Sequence, residues 1–416
     1  MLKEGRNVEF KEKWTRSFLK TISAFANYDG GRIIFGINDE GEVVGLNDPD
    51  ALCLNIENAI NDTISPSPDY SFSVDTKKKL VTLTVEPGLF KPYLYNSKAY
   101  KRNGTSTVEV DRVEMSRLIL EGKNLGYDEV ESAKRDLQFS YLREKLEQIL
   151  NVKDFSDDIL KTLGLYTKTD KYNNGAALLA DQNDFPGLDM VRFGENIDYI
   201  MDRETFSKMS ILKQYDSAII LYRKYYQYEV IDGASRRQIE TVPEKAFREA
   251  IANALVHRTW DVPNHIKVEM FDDRIDIISP GGLPNRVKEE DYLRGKVSFL
   301  RNPVIGDVFF RLRMIERYGT GIRRILRAYQ DSAQKPYFEI FENDITVSLP
   351  VVNRKELTGD DLKAYHYFVN GKSASVTEMA EFLGCGKSKA RKILQELVQK
   401  GYLRVSGAGR STRYQI

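Results

Sequence analysis

Three motifs follow one another in the second half of the chain: FREAIANALVHR at 247–258, IISPGGLP at 277–284 and ERYGTGI at 316–322. The first motif has apolar residues at helical spacing, which puts Glu249 and Asn253 on one helix face, and His257 continues that face one turn later. The second motif predicts a strand that ends at a glycine turn. The third predicts a helix that begins near Gly321.

These motifs suit phosphate chemistry. A carboxylate such as Glu249 can polarise water, and the amide oxygen of Asn253, one turn away, can hold Mg²⁺. A glycine turn at a helix N-terminus offers free N–H groups to phosphates, which makes Gly319, Thr320 and Gly321 candidate contacts. Each motif taken alone also fits an ordinary polar helix face or a tight turn.

Length and composition limit the class of protein. The chain has 416 residues, of which 41% are hydrophobic and 30% charged, with a formal net charge of +1. About 150 residues per domain predicts roughly three domains. Two cysteines, Cys53 and Cys385, exclude a disulfide framework, and no apolar run is long enough to span a membrane. The N-terminus lacks an apolar signal-peptide centre, so we expect a cytoplasmic protein that makes no membrane contact.

The pattern of elements predicts a mixed α+β chain of four regions. An α+β unit covers 1–120, a net acidic linking region 121–240, a helix and strand unit 241–352, and three helices with a β-hairpin 357–416. In the third region we expect a helix from Pro243 to about Trp260.

The last region predicts a winged-helix form of helix-turn-helix that binds DNA. From residue 386 onward Glu396 is the sole acid, against eight basic residues: Lys387, Lys389, Arg391, Lys392, Lys400, Arg404, Arg410 and Arg413. A basic third helix suits major-groove entry, with Ser388 and Lys389 at its start and Arg410 and Arg413 on the wing. The alternative is a winged helix that serves only protein contacts.

The third region resembles the GHKL ATPase fold of gyrases, Hsp90, histidine kinases and MutL. The resemblance implies ATP and Mg²⁺ as ligands, Glu249 as general base and Asn253 as magnesium ligand. The remaining implied contacts are His257, Gly281, Gly282, Gly319, Thr320 and Gly321, with a lid over 285–315. Where that family has an Asp for the adenine amino group, this chain has Ser279-Pro280.

The sequence motifs of this region, including Arg301-Asn302-Pro303, are similar to those of a divergent GHKL-like domain of prokaryotic proteins. Those proteins carry a Schlafen-type AlbA-like domain, also called divergent AAA-4, and are described as transcriptional regulators or RecG-helicase-related. The first region resembles that AlbA-like domain independently. Its matching residues include Glu4, Glu9-Phe10-Lys11, Ser23 to Asn27, Gly30-Gly31, Phe35 to Ile37, Lys91-Pro92 and Tyr100 to Thr107.

Nucleic-acid binding is the role implied for the first region. Lys101 and Arg102 supply charge, and Gly104, Thr105 and Ser106 supply backbone N–H groups and hydroxyls suited to phosphate oxygens. The alternative is a polar β-turn. In Schlafen proteins with nuclease activity, paired glutamates hold a divalent metal, so Glu4, Glu9 and Asp39 are candidate metal ligands. Alternatively, Glu9 pairs structurally with Lys11 or Arg102.

The sequence therefore predicts a DNA-binding transcriptional regulator, RNA being a second option, with a nucleotide-binding GHKL-like module that modulates DNA binding. A homodimer is the default state for such regulators. Two alternatives stay open. One is an enzyme, either an ATPase or a Schlafen-like metal-dependent nuclease. The other is a scaffold with a degenerate nucleotide site.

Overall fold

A computed structural model gives the fold of the chain. It describes residues 3–232, 235–284, 287–295, 300–316, 319–332, 334–352, 359–369, 373–399, 402–406 and 412–415. None of the described helices combines the length and apolarity needed to cross a membrane. The chain is a mixed α+β protein with several separate sheets, which confirms the predicted fold class at that level.

The first unit is built around one buried apolar helix, Phe18–Asn27. Its elements are β1 (Val8–Lys11), α1 (Phe18–Asn27), β2 (Gly31–Phe35), α2 (Pro49–Thr63), β3 (Ile64–Ser65), β4 (Tyr70–Asp75), β5 (Leu80–Val85), β6 (Leu94–Tyr95), β7 (Tyr100–Asn103), β8 (Ser106–Glu109) and α3 (Arg112–Gly122). Four strands form a sheet of order β1-β2-β5-β4, in which only the β1–β2 pair is parallel. Phe18, Ile22 and Phe25 of α1 are buried in its core.

The middle of the chain forms one six-stranded sheet with helices packed on it. Its first elements are α4 (Ser140–Leu150), α5 (Asp157–Thr162), α6 (Asn174–Leu179), β9 (Leu188–Phe193), β10 (Ile200–Phe206), α7 (Ile211–Tyr226), β11 (Gln227–Asp232) and β12 (Ser235–Glu240). The later ones are α8 (Glu244–His257), β13 (Ile266–Met270), β14 (Arg274–Pro280), α9 (Glu289–Leu293), α10 (Pro303–Arg311), α11 (Gly321–Ala328), β15 (Tyr337–Ile340) and β16 (Asp344–Pro350).

This sheet has the order β10-β9-β13-β14-β16-β15, with β9 and β13 parallel. It therefore takes strands from both sides of residue 240. One apolar core likewise runs from Phe139 to Leu349 and includes α7 and α8. Residues 139–240 thus form part of the same folded unit as the strands that follow them.

A short 3₁₀ helix, Tyr127–Glu129, joins the first unit to the second. Asp128 is fully buried there and accepts a hydrogen bond of 2.9 Å from the backbone N–H of Ile305 in the first turn of α10. The carboxylate thereby caps a helix that begins 175 residues later with Asn302 and Pro303. Burial raises the pKa of Asp128 to about 7.

The last unit comprises three helices and a strand pair. These are α12 (Asp360–Val369), α13 (Val376–Leu383), α14 (Lys387–Gln399), β17 (Arg404–Ser406) and β18 (Arg413–Gln415). The two strands pair antiparallel, and Tyr414 also bridges to Ala374 ahead of α13. Phe368, Met379 and Leu394 are buried between the helices.

Candidate functional site

The polar face of α8 faces a cavity, while its apolar face is buried in the core. Phe247, Ile251 and Leu255 are fully buried against the sheet and α7. Glu249 and Asn253 lie at four-residue spacing on the other face and line the cavity, as does His257. The sequence spacing therefore placed all three side chains correctly relative to one another.

The N-terminus of α11 lies directly against this face. A Cβ on Gly321 would come 2.5 Å from Nδ2 of Asn253 and 2.8 Å from Oε1 of Glu249, so only glycine allows so close an approach. Arg324, one turn into α11, lies 4.0 Å from Glu249 and 3.0 Å from Glu316. The helix thus brings backbone N–H groups and one guanidinium to the Glu249 end of the cavity.

The environment of Glu249 suits a proton acceptor. Its burial raises the pKa of the carboxyl, and the negative charge of Glu316 adds to that effect. The Arg324 guanidinium and a hydrogen bond from Asn253 act in the opposite direction. A carboxylate held above its ordinary pKa accepts a proton from water more readily than an exposed one, as a general base requires.

The far end of the cavity is organised by Arg301. Its Nη1 donates to the carbonyl oxygen of His257 at 3.0 Å and to Oγ1 of Thr259 at 2.7 Å, and its Nη2 donates to the carbonyl oxygen of Gly282 at 2.6 Å. Burial lowers the pKa of Arg301 to about 10, and it also lowers that of His257 to about 4. His257 is therefore neutral at pH 7, and Arg301 remains charged.

The glycine turn after β14 packs tightly on this end. Gly281 has a φ of +106°, and a Cβ there would overlap Oγ1 of Thr259 and Nη1 of Arg301. A Cβ on Gly282 would come 2.4 Å from the carbonyl oxygen of Glu342. Both glycines are required by close packing, and Gly282 also lines the cavity.

No carboxylate from β14 reaches the cavity. Asp276 accepts from the Oγ of Ser348 at 2.6 Å and from the Nε of Arg274 at 2.8 Å, within the sheet. Ser279 donates to the carbonyl oxygen of Ala254 at 3.1 Å. The side chains of Asp276 and Ser279 are thus engaged in bonds within the fold and not in the cavity.

Most of the residues predicted to contact the ligand line this one cavity. Of these, the residues that line it are Glu249, Asn253, His257, Gly282, Gly319 and Gly321. Gly281 and Thr320 are adjacent but do not line it, and Oγ1 of Thr320 is buried without a partner among the described residues. From the predicted lid, Val287, Tyr292 and Leu300 line the cavity, whereas 285–286 and 296–299 lie outside the described residues.

Arg301 was not among the predicted site residues. The sequence signal for it was the Arg301-Asn302-Pro303 motif, which carried only a family resemblance. Asn302, next to it, is fully buried and donates to the carbonyl oxygens of Val256 and Arg258. The motif thus fixes the end of α8, and only the folded chain reveals that its arginine borders the cavity.

In the first unit, the Glu9 carboxylate is engaged in ion pairs and a hydrogen bond. Its carboxylate accepts from Nη1 of Arg102 and Oγ1 of Thr21, both at 2.6 Å, and lies 2.8 Å from Nζ of Lys11. Glu4 accepts from the backbone N–H of Phe10 at 2.7 Å. Over the described part of the chain, no group of three His, Cys, Asp or Glu side chains could hold a metal ion, so Glu4, Glu9 and Asp39 do not form a cluster.

The predicted nucleic-acid contacts of this unit divide into two kinds. Arg102 is buried on Glu9, and Nζ of Lys101 lies 2.5 Å from Oε1 of Glu114. The tip of the β7–β8 hairpin is exposed at Gly104, Thr105 and Ser106, the last of which begins β8. The exposed turn is therefore the part that remains accessible to a phosphate backbone.

The basic residues of the last unit lie mainly on the outer face of α14. Lys387, Ser388, Lys389, Arg391 and Lys392 are exposed, and the opposite face is buried through Ala390, Ile393, Leu394 and Leu397. Lys389 pairs with Asp360, Lys392 lies 4.0 Å from Glu396, and Arg413 lies 3.1 Å from Glu378. Arg410 and the predicted tip at 407–409 lie outside the described residues.

Comparison with known families accounts for two segments of the chain. Residues 4–111 match the Schlafen AlbA_2 family. Residues 264–349 match the family described as "Putative ATP-dependent DNA helicase recG C-terminal". No curated protein matches the chain.

Two solved structures are similar to parts or all of the chain. The DIP2311 protein from Corynebacterium diphtheriae covers 99% of this chain and 92% of its own, at 19% identity and a TM-score of 0.50, which shows a shared fold. The N-terminal domain of a "Putative ATP-dependent DNA Helicase RecG-related Protein" from Nitrosomonas europaea is 25% identical over 27% of this chain and 85% of its own, with a TM-score of 0.20.

The two family segments divide the candidate residues. The Schlafen AlbA_2 segment contains β1 to β8 and hence Glu4, Glu9 and the exposed turn. The RecG C-terminal segment contains Gly282, Arg301 and the α11 glycines, but it begins after α8. The helix α8, which carries Glu249, Asn253 and His257, therefore lies outside the matched segment and contributes these side chains to the same cavity.

Proposed function

We propose that this chain is a DNA-binding transcriptional regulator whose GHKL-like module binds a nucleoside triphosphate with Mg²⁺. The observation that carries the proposal is the cavity between α8 and α11, where Glu249 and Asn253 meet the N-terminus of a helix. The two family matches support a role with nucleic acid, because one is an AlbA_2 domain and the other an ATPase-like segment.

The residues present fit such a ligand. Gly319 and Gly321 leave backbone N–H groups at the α11 N-terminus open to phosphate oxygens. The hydroxyl of Thr320, which has no partner in the described part of the chain, is next to them. Asn253 would hold the magnesium ion, which supplies positive charge to the phosphate oxygens. Glu249 would orient water and accept its proton, and Arg324 would stabilise negative charge.

The direct test is the thermal stability of the full chain with ATP, ADP and Mg²⁺. A ligand that binds only the folded state raises the melting temperature in proportion to the logarithm of its concentration. We expect a rise with triphosphate and Mg²⁺ that is smaller when EDTA replaces the metal. Melting curves that do not move at millimolar concentrations of either nucleotide would overturn the nucleotide site.

We infer that the last unit is a winged helix and that α14 is its DNA-reading helix, because its outer face carries five exposed basic or hydroxyl residues and its inner face is apolar. The double substitution Lys387→Glu/Arg391→Glu should weaken binding of duplex DNA and reduce its dependence on salt. The matched control is Lys153→Glu/Lys168→Glu, which reverses two exposed charges in the acidic middle region. Equal losses in both variants would remove α14 as the contact surface.

A homodimer is the assembly we propose for this regulator, because DNA sites read by winged-helix proteins are commonly two-fold. Sedimentation of the full chain with and without duplex DNA tests it. A monomer in both conditions would refute the dimer and leave the DNA-binding proposal standing.

A second candidate function is hydrolysis of the triphosphate. The buried Glu249, with its raised pKa beside Asn253 and Arg324, favours it. The pairing of Glu9 with Arg102 and Lys11 gives no such support to a nuclease.

A further inference from the structure

A second cavity lies on the first unit, beside the exposed tip of the β7–β8 hairpin. The side chains around it come from the segment before β1, from α1 and the turn after it, from β7 and α3, and from the second unit. Its lining residues include Arg6, Asn7, Tyr28, Lys101, Asn103 and Glu342. Its volume of about 180 Å³ gives room for about a dozen water molecules, so a ligand larger than a single ion fits.

The turn between β15 and β16 brings Glu342 to the second cavity. The backbone N–H of Gly281 donates to the carbonyl oxygen of Asn343 at 2.7 Å. Gly282 packs so closely on the carbonyl oxygen of Glu342 that a Cβ on this glycine would lie 2.4 Å from it. The backbone of Glu342 is therefore held against the glycine turn of β14, while its exposed side chain lines the second cavity.

In the described part of the chain, each cation that lines the second cavity is paired with a carboxylate. The pairs are Arg6 with Asp29 at 3.3 Å, Lys101 with Glu114 at 2.5 Å and Arg102 with Glu9 at 2.6 Å. Burial raises the pKa of the Tyr28 hydroxyl, and the negative charge of Glu114 adds to that effect. A phosphate here would have to separate an ion pair next to other carboxylates, so the second cavity does not suit an anion.

The hydrogen-bonding groups that remain are neutral or acidic. Asn7, Tyr28, Asn103 and Glu342 line the second cavity, and none of these side chains has a hydrogen-bond or ion-pair partner in the part of the chain that the structure describes. The two amides and the phenol can donate and accept, and the carboxylate accepts. Amides and carboxylates bind the polar edges of nucleobases, and an aromatic ring such as Tyr28 can contact a base face.

We propose that the second cavity takes up one unpaired base of bound DNA while the tip at Gly104, Thr105 and Ser106 contacts the adjoining phosphates. Asn103 directly precedes this tip, so a nucleotide whose phosphate lies on the tip has its base beside the cavity. A paired base must be unstacked before it can enter, whereas an unpaired base is already free. The chain therefore prefers DNA with an unpaired nucleotide to a fully paired duplex. This inference rests on the proposed DNA-binding function and specifies the form of DNA recognised.

The test uses three duplexes of equal length: one fully paired, one with a single unpaired cytosine, and one with an abasic site in place of that cytosine. Cytosine is chosen because its amino group donates to a carboxylate such as that of Glu342. Fluorescence anisotropy with the full chain at one salt concentration gives the dissociation constants. We expect the unpaired cytosine to bind about tenfold more tightly than either other duplex, as stacking and hydrogen bonding of one base allow.

The other outcomes are distinct. If the abasic duplex binds as tightly as the unpaired cytosine, the chain recognises the bend or flexibility of the backbone, and the base site is overturned while DNA binding stands. If all three duplexes bind equally, the preference is likewise overturned. If none binds, the proposed DNA-binding function fails and this inference fails with it.

Substitution tests the second cavity directly. Glu342→Ala/Asn103→Ala removes two exposed side chains that line it, so the preference for the unpaired cytosine over the abasic duplex should fall to about threefold or less. Glu339→Ala is the matched control, because it removes an exposed carboxylate on β15 that does not line the cavity. The control should keep the tenfold preference, even if the loss of a negative charge strengthens binding of all three duplexes. An unchanged preference in the double variant would refute the cavity as the base site.

Discussion

Glu249 shows how position, rather than residue type, sets the pKa of a carboxyl. The same residue type at an exposed helix position would ionise normally, whereas burial on the cavity face of α8 raises its pKa. The substitution Glu249→Gln should leave nucleotide binding nearly unchanged and reduce any hydrolysis of the triphosphate by about a hundredfold or more, since a general base contributes on that order. Phosphate release measured at saturating nucleotide checks this.

The pH profile and a control sharpen that prediction. Because the base must be ionised, hydrolysis should increase as pH rises through the raised pKa of Glu249. Glu147→Gln, an exposed change on α4, should leave both the rate and the profile unaltered. Hydrolysis that persists at full rate in Glu249→Gln would show that another group accepts the proton.

Asp128 gives a prediction about stability. Burial raises its folded pKa from 3.8 to about 7, so between these values the folded chain binds more protons than the unfolded one. The free energy of unfolding should therefore fall as pH rises from about 4 to about 7. Asp128→Asn retains an oxygen for the Ile305 N–H but does not ionise, and its unfolding by urea should lose this part of the pH dependence.

The control for this measurement is Asp136→Asn, which changes an exposed carboxyl a few residues away. It should keep the pH dependence of the unaltered chain. If Asp128→Asn also keeps it, then the buried carboxyl does not titrate in the expected range and the pH dependence arises elsewhere.

Sequence reasoning predicted the relative positions of side chains where these depend on local spacing. The stripe of Glu249, Asn253 and His257 follows from the helical period alone. The pairing of Glu9 with Lys11 and Arg102, one of two alternatives at the outset, is the arrangement that the structure shows. Arg301 could not be placed in this way, because the groups that orient it lie 19 to 44 residues away and two of them are backbone carbonyls.

At the scale of elements, the approach of α11 to α8 defines the cavity. Gly321→Ala adds one methyl group between Asn253 and Glu249, which must move apart or displace α11. We expect overpacking to cost about 1–3 kcal/mol of stability and the melting shift produced by triphosphate to shrink or vanish. Gly386→Ala is the matched control. Gly386 directly precedes α14, much as Gly321 begins α11, but a Cβ on Gly386 would meet open space. Equal ligand-induced shifts in the two variants would argue against a ligand at the α11 N-terminus.

Helix boundaries were predicted less well than helix existence. The expected continuation of α8 to about Trp260 is wrong, since α8 ends at His257 and Arg258 adopts an extended conformation. There the Arg258 guanidinium is fully buried and donates to the carbonyl oxygens of Val262 and Asn264. Contacts with residues beyond the helix thus end it at His257. The helix propensity of residues 258–260 does not reflect these contacts.

At the scale of the whole molecule, the principal surprise is the six-stranded sheet. Residues 121–240 carry few chemical motifs, yet they supply β9 and β10, and β9 pairs parallel with β13 across almost 80 residues of sequence. Parallel pairing leaves no turn signal because its strands are joined through helices. The mixed α+β class was therefore predictable from sequence, and the sharing of one sheet between two predicted regions was not.

A surface ion pair joins the first unit to the second. Arg117 on α3 makes a two-pronged ion pair with Asp261, at 2.7 and 3.2 Å. On the same helix, Glu114 pairs with Lys101 of the β7–β8 hairpin. Asp261 follows Thr259, whose hydroxyl accepts from Arg301 at the cavity. These contacts connect the exposed turn of the AlbA_2 segment to the Arg301 end of the cavity.

That connection yields the last prediction, which concerns coupling between ligands. We expect triphosphate to change the affinity of the full chain for duplex DNA. The reason is that the exposed turn of the β7–β8 hairpin and the cavity are connected through α3 and the segment after α8. Arg117→Gln/Asp261→Asn removes both charges of the ion pair but keeps a polar, hydrogen-bonding side chain at each position. An exposed pair contributes only about 0–1 kcal/mol to stability, so the variant should fold and bind each ligand alone. Its DNA affinity, measured with and without triphosphate, should no longer differ. A difference equal to that of the unaltered chain would mean that other contacts carry the coupling.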